Sequence, residues 1–481
     1  MSIHAELSPE ALLKLHAQRR NSTISSILIA ALTVVLIGLI LGFFFLPQIV
    51  KETPTIVTYQ SNLKENKDPE QKKVQTSIDQ RPSSPSSSIA KVIAATTVSP
   101  TAVPVPDVDV TTPSLDFGNG DDFGNGWGDG GPGGGGFGAI PADMRQRCSK
   151  ADRLARLQET GGNEQCEVAV VKALHWLKKT QNKDGSWDNR FQVAMTGFSV
   201  LAYLAHCETP QSEEFGSSVT NGIIYLVNTG LKNDGKLTVQ NLSSNQWVYE
   251  HAIATYALAE SYTFCSKLGI NIPNLGPVTK KAGDIIMAGQ NKVGGWVYRY
   301  GDANYGDQSV GYWQIQALKA CRHTGLWKEN AFDKVSRNAL AWLDKAQSKE
   351  GAIGYHGSAN QSPGLTGGGV LAFQMWGKSN SKNVREGVKY ISKHTSFNWG
   401  SESANLYYHY YNAQAMINYG GREWAEYNKM FRDTLLKNQN EDGSWTQSGI
   451  QHGPANQHMA TCLATFMLEV YYRFLPGTGA K

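Results

Sequence analysis

The chain has 481 residues, 41% of them hydrophobic and 18% charged, with a formal net charge of +4. A balance this close to neutral, without a long Lys/Arg block, excludes the electrostatic footprint of a nucleic-acid-binding protein. Apolar, charged and glycine residues are spread so unevenly that composition has to be taken segment by segment.

Residues 1–23 form a short polar segment. From Ile24 to Leu46 there is no charged residue, and Leu, Ile, Val, Ala and Phe dominate. At about 1.5 Å per residue the run spans roughly 35 Å as a helix, enough for a hydrocarbon core of about 30 Å. The sequence therefore predicts one transmembrane helix at 24–46. Lys14, Arg19 and Arg20 precede it, which puts the N-terminus in the cytoplasm and everything after Leu46 outside, as a single-pass inner-membrane protein with a periplasmic bulk. A cleaved signal peptide is the rival, but Phe43-Phe44-Phe45-Leu46-Pro47 is a poor cleavage site.

Residues 47–144 are rich in Pro, Ser, Thr, Val, Asp and then Gly, and carry no amphipathic period. Such a stretch cannot bury enough apolar surface to offset its ordering entropy, so a disordered linker is expected. Its coil span is on the order of 55 Å. The six cysteines, Cys148, Cys166, Cys207, Cys265, Cys321 and Cys462, all follow the linker, with no Cys-x-x-Cys pair. In an oxidising periplasm Cys148 with Cys166, or Cys207 with Cys265, are the pairings close in sequence. Buried free thiols are the alternative.

Beyond Arg145 the chain repeats itself. Trp176 to Trp187, with Gln181, Asp184 and Gly185, returns near the end as Leu435 to Trp445, with Gln439, Asp442 and Gly443. Between them lie Gln290 with Gly294-Gly295-Trp296, and Trp342-Leu343 with Gln347, Gly351 and Gly354-Tyr355. More degenerate copies occur at Tyr225 to Leu237 and at Tyr390 to Gly400, the latter with Trp399. Six units at roughly 45- to 60-residue spacing suit helix pairs. The first helix of a pair is amphipathic, as Val168, Val171, Leu174 and Leu177 show, and the Asx-Gly step stops it. The second is apolar on nearly all sides and is expected to be enclosed: Val193 to Leu204, Ile253 to Tyr262, Val310 to Ala320, Val370 to Trp376, Tyr411 to Tyr419 and Met459 to Tyr472.

An aromatic-Leu pair, a Gln four residues after the Leu, and then Gly-x-Trp resembles the repeat of squalene and terpene cyclases and of protein prenyltransferase beta subunits. The resemblance covers residues 145–481 and further resembles bacterial membrane-anchored proteins with prenyltransferase and squalene oxidase repeats. It implies an all-α fold, an alpha/alpha toroid of about six helix pairs with a central cavity lined by the inner helices. Gln181, Trp187, Gln290, Trp296, Gln347, Trp399, Gln439 and Trp445 are then its structural repeat positions.

The chemistry of those enzymes is not in the toroid segment. Cyclases protonate an alkene with Asp-x-Asp-Asp, which does not occur between Arg145 and Lys481. The zinc of prenyltransferases needs Asp-x-Cys and a distant His; here His458 and Cys462 stand four apart, two ligands where a catalytic site needs three. No metal and no cofactor is therefore expected. Complement-like toroids carry a Gly-Cys-Gly-Glu-Gln thioester; in Gly161-Gly162-Asn163-Glu164-Gln165-Cys166 the thiol is misplaced, and Asn163 suits a helix cap. What remains gathers where inner helices begin. Glu250, His251, Asp307 and His458 are candidates for acid and base work, and Trp313, Tyr407, Tyr408, His409 and Tyr411 for ligand binding. Polar residues at helix starts also serve simply as caps. The sequence points to an envelope protein whose toroid binds a ligand or partner in its cavity, either an envelope protein or a hydrophobic or glycan ligand. An enzyme acting on an isoprenoid lipid or a polysaccharide is the main alternative, and a structural scaffold with a plugged cavity the third.

Overall fold

A computed structural model describes residues 147–301, 303–446 and 456–473. The expected transmembrane helix at 24–46 and the linker at 47–144 lie outside the described residues. The chain divides into two units, Met1–Val103 and Pro104–Lys481, and every described residue belongs to the second. Among the described residues no helix is long and apolar enough to cross a membrane. They contain thirteen α-helices and, in place of strands, only isolated bridges.

After α1 (Lys150–Thr160) the helices alternate. The outer set is α2 (Glu164–Thr180), α4 (Gly216–Lys232), α6 (Leu275–Ala288), α8 (Asp333–Ala346), α10 (Lys382–His394) and α12 (Gly421–Lys437). The inner set is α3 (Gln192–Ala205), α5 (Trp247–Leu268), α7 (Gln308–His323), α9 (Pro363–Met375), α11 (Leu406–Tyr419) and α13 (Gln457–Glu469). Sequence pattern decides which is which. Outer α10 buries Val384, Gly387, Val388 and Ile391, one stripe at three- and four-residue spacing, whereas inner α3 buries every residue but Gln192. Each inner helix packs on the next, and α13 packs back on α3, so the inner set is a closed ring. The fold of this unit is an alpha/alpha toroid of six helix pairs.

The repeat motif is the joint between neighbouring pairs. Gln181 Nε2 donates to Gly185 O within its own loop and to Ser218 O on the next outer helix, each at 3.0 Å. Gln290 reaches Gly294 and Val335, Gln347 reaches Gly351 and Asn383, and Gln439 reaches Gly443 and Ala169 in the same way. Trp187, Trp296 and Trp445 are fully buried, and each indole N–H donates to the carbonyl ten residues earlier, of Leu177, Ile286 and Leu435. The glycine is needed for two reasons at once: Gly443 has φ +92°, and a Cβ there would sit 2.3 Å from Lys172 O. The fifth unit departs from the pattern. Trp399 is only half-buried, and Phe397 takes the buried place, edge-on to His409 at 4.6 Å.

The last of these joints is also the seam where the chain's end meets its beginning. Gln439 on Ala169, Trp424 on Thr160 O, Asn428 and Arg432 on Gly161 O, and Asn456 on Asp188 join α1, α2 and the first loop to the sixth pair. Asn163 caps α2 by accepting from Cys166 N–H, which accounts for the Gly-Gly-Asn-Glu-Gln-Cys run structurally.

At the C-terminal ends of the inner helices Arg147 donates to Leu204 O and faces Glu260 at 3.5 Å, with Glu469, Arg473 and Tyr256 around it. All five are buried. The disulfide is neither of the pairings suggested by proximity in sequence: Cys148 bonds to Cys207, 59 residues away, because the segment before α1 lies across the end of α3. Cys166, Cys265, Cys321 and Cys462 are buried free thiols.

Candidate functional site at the mouth of the inner ring

Inner helices begin on one face, and there a capping carboxylate and several half-buried hydroxyls gather. Asp307 caps α7, its Oδ1 accepting from Val310 N–H at 3.2 Å and from the Ser309 hydroxyl at 2.6 Å. Its Oδ2 is buried and has no hydrogen-bond partner among the described residues. A buried carboxylate oxygen without a donor is costly, and in native proteins such an atom asks for an explanation.

Hydroxyls surround it. Ser309 spends its proton on Asp307, so Tyr249, 2.8 Å from Ser309 Oγ, is the donor of that pair. The Tyr298 and Tyr355 hydroxyls are 2.5 Å apart, and burial, the Tyr298 hydroxyl and the Asp307 charge together hold the Tyr355 phenol above its ordinary range. Tyr407 accepts from Trp313 Nε1 at 2.7 Å and from the Tyr411 hydroxyl at 3.4 Å. Its own proton has only Ser309 O, at 3.5 Å, to go to. That distance is at the limit of a hydrogen bond, so Tyr407 remains a donor in reserve. Tyr249, Tyr298, Ser309, Tyr355 and Tyr407 are all half-buried.

Below this layer the axis is filled. Phe198 lies edge-on to Trp313 at 5.4 Å, Trp313 stacks on Tyr410 at 5.3 Å, and Phe466 closes the set against Tyr410 and Phe198. None of the four is more than 2% exposed. The expected central cavity is therefore closed at this level by the aromatic side chains of α3, α7, α11 and α13.

The structure does not bring the four acid-base candidates into one hydrogen-bonded set. Glu250 Oε2 accepts from Thr238 and Val239 in the loop before α5. Burial raises its carboxyl, opposed by those donors and by the N–H groups of Ala194 and Val193. His251 accepts from Leu237 N–H and donates to Ala282 O, and burial lowers it to about 3. His458 pairs with Ser199 at 2.8 Å across the seam and with Cys462 at 3.5 Å one turn along its own helix, and burial lowers it to about 4. Only Asp307 belongs to the mouth.

Of the ligand candidates, Trp313, Tyr407 and Tyr411 are joined there by the bonds just described. His409 points away, between the Tyr427 hydroxyl and Ser403 O, and burial lowers it to about 4. Tyr408 lies against Gly364 of α9, where a Cβ would come within 2.0 Å of its ring. Among the described residues no three His, Cys, Asp or Glu side chains group as a metal would require. Sequence reasoning missed Tyr249, Tyr298, Ser309 and Tyr355; their signal was position, since Tyr298 and Tyr355 follow the repeat glycines of the third and fourth units and Tyr249 and Ser309 open inner helices.

No family model matches the chain, and no curated protein does. Among solved structures, the GH76A alpha-1,6-mannanase from Salegentibacter sp. HEL1_6 is similar at 12% identity, over 64% of this chain and 99% of that one, with a TM-score of 0.48. The type II terpene cyclase MstE from Scytonema is similar at 11% identity, over 65% of this chain and 98% of that one, with a TM-score of 0.44. Its R337A variant, in complex with geranylgeranyl dihydroxybenzoate, gives 11% identity and a TM-score of 0.43, over 65% and 98% of the two chains. At these values neither protein's chemistry carries over, and the toroid rests on the closed packing of the six inner helices.

Proposed function

We propose that this is a ligand-binding toroid, held at the periplasmic face of the inner membrane by the expected N-terminal helix and linker, and that its ligand docks at the mouth of the inner ring. The observation that carries the reading is a pair of groups there: Asp307 Oδ2, buried and outside hydrogen-bond geometry although the Tyr355 phenol stands near the carboxylate, and Tyr407, a donor without a well-placed acceptor. A ligand hydroxyl or N–H on the first and a ligand oxygen on the second would satisfy both. The aromatic fill beneath them favours a ligand seated at the mouth over one threaded along the axis.

Binding without turnover is the form this reading takes, because Glu250 Oε2 is held by the loop before α5 and only its Oε1 lacks a partner among the described residues, with no bond linking it to Asp307. Glu250 and Asp307 share no hydrogen-bond partner. Calorimetry on the full-length protein should give saturable binding that Asp307→Asn and Tyr407→Phe each weaken about tenfold, the loss of one good hydrogen bond. Asparagine caps helices as well as aspartate does, so the first change leaves α7 in place. Steady release of a product from the bound ligand would refute the reading.

One observation favours the enzymatic alternative: burial raises the Glu250 carboxyl, as a general acid requires. A Glu250→Gln variant that binds and folds normally but stops a measured turnover would establish that alternative.

A further inference from the structure

Resting on that reading, we infer that the ligand is a linear, uncharged oligosaccharide, which lies along a track of aromatic rings running from the mouth to the rim of the toroid. The track begins at Tyr407, which faces the Ser309 carbonyl, passes through Ser309, whose hydroxyl meets Tyr249, and continues to Tyr298, whose ring is 6.1 Å from that of Tyr249. Tyr298 meets Tyr355 hydroxyl to hydroxyl, Tyr355 lies 4.4 Å from the ring of His356, and His356 lies 4.9 Å from Tyr305. Exposure rises along it, from half-buried Tyr407 to Tyr305, which is 47% exposed.

Three features of the track select the ligand class. Every ring on it pairs an apolar face with a hydroxyl or ring nitrogen at its edge, which matches the apolar C–H faces and equatorial hydroxyls of a sugar. An isoprenoid chain would bury itself in a deep apolar cavity, and the axis beneath the mouth is filled. An extended peptide would seek a strand edge for its backbone, and the described residues have none to offer. The carboxylate of Asp307 at the inner end disfavours an acidic sugar, whose charge would face it unscreened. A track longer than one ring takes a chain, since each added sugar finds another aromatic platform without a second loss of translational freedom.

Calorimetric titration of the full-length protein tests this, with neutral cello-, manno- and malto-oligosaccharides from a single sugar to the hexasaccharide, and with geranylgeraniol and hexa-alanine as isoprenoid and peptide probes. In at least one series the affinity should rise about tenfold or more from the single sugar to the tetrasaccharide. Tyr305→Ala, a change at an exposed ring, should abolish most of that rise while leaving the shortest ligand's affinity unchanged. Tyr407→Phe should weaken every length. Affinity that is flat with length, or a rise that survives Tyr305→Ala, overturns the inference. If the saccharides fail while geranylgeraniol or the peptide binds in a Tyr407-dependent manner, the sugar is wrong and the mouth stands as the binding site. If no probe's binding responds to Tyr407 or Asp307, both fall.

Discussion

The two ends of the inner ring use polar side chains in opposite ways. Where the inner helices end, Arg147, Glu260, Glu469 and Arg473 are buried together, and a disulfide beside them ties the incoming segment to α3. Where they begin, half-buried tyrosine and serine hydroxyls surround a single buried carboxylate, that of Asp307. At the closed end the carboxylates of Glu260 and Glu469 and Nε and Nη1 of Arg473 have no hydrogen-bond partner among the described residues, so these charges compensate one another by proximity more than by direct bonds. Half-buried hydroxyls cost little to desolvate and can exchange water for a ligand. The two ends thus differ in exposure and charge, with buried ions at one and half-buried hydroxyls at the other.

Breaking the joints should have the largest effect, and should show that they are independent of the mouth. Trp296→Ala removes a fully buried indole and its bond to Ile286 O, at a cost of about 3–5 kcal/mol, whereas Trp399→Ala, at a half-buried position, costs less than about 1 kcal/mol. Urea denaturation of the two variants side by side measures this. Equal losses would mean that the fifth unit is built like the third.

Next in size is the closed end. Cys148→Ser with Cys207→Ser opens a 59-residue separation and should lower stability by about 2–4 kcal/mol. Affinity at the mouth should stay the same. Loss of binding in a variant that remains folded would couple the two ends and blur the distinction.

A smaller, graded effect comes from pH. Burial depresses His251 to about 3 and His409 and His458 to about 4, from 6.5. For His251 a backbone N–H also faces Nδ1, so a second proton has no acceptor. The unfolded chain takes up these protons below pH 6.5 and the folded one does not, so stability falls as the pH drops from about 6.5 toward 4. Against burial, His206 and Arg153 hold Glu167 down to about 2, which adds a loss between pH 4.5 and 2. His206, raised by Glu167 and Glu208 against burial, contributes in the reverse sense: its share is lost as the pH rises through its folded value. Thermal unfolding between pH 7 and 5 should show a steep fall in Tm, with a shallower slope in His458→Gln. A flat profile would place charged histidines in the core.

The smallest stability effect should be at the mouth itself. Asp307→Asn should change unfolding free energy by less than about 1 kcal/mol and Tyr407→Phe by about 1–3 kcal/mol, since it leaves the buried Trp313 indole N–H without its acceptor, while each costs binding about tenfold.

Much of this fold was legible because its joints are written in the repeat. The Gln, the Gly and the Trp each serve a bond or a close approach that recurs at every well-formed joint, so the same letters return at the same spacing. Where the letters decay, at Trp399, the indole is only half-buried and Phe397 is the buried aromatic of the unit. Helix α1 and the Cys148–Cys207 bond were not legible. Proximity in sequence is a poor guide to pairing when one chain segment crosses the end of a helix far along the fold. The candidate site was legible only as a set of helix starts. Asp307, Trp313, Tyr407 and Tyr411 came from the starts of inner helices, but Glu250, His251, His409 and His458 occupy similar positions and turn out to be tied to loops and neighbouring helices. Side-chain direction within the first helical turn separates the two groups, and a one-dimensional pattern does not carry it.

The most direct test of the account is a crystal structure of the toroid-containing full-length protein with its tightest-binding oligosaccharide. The account predicts a sugar ring with hydroxyls in hydrogen-bond reach of Asp307 Oδ2 and Tyr407, and the chain extending toward Tyr305. A saccharide found instead in the groove of about 650 Å³ beside Tyr262 and Lys280, near the end of α5, with the mouth unchanged, would contradict it.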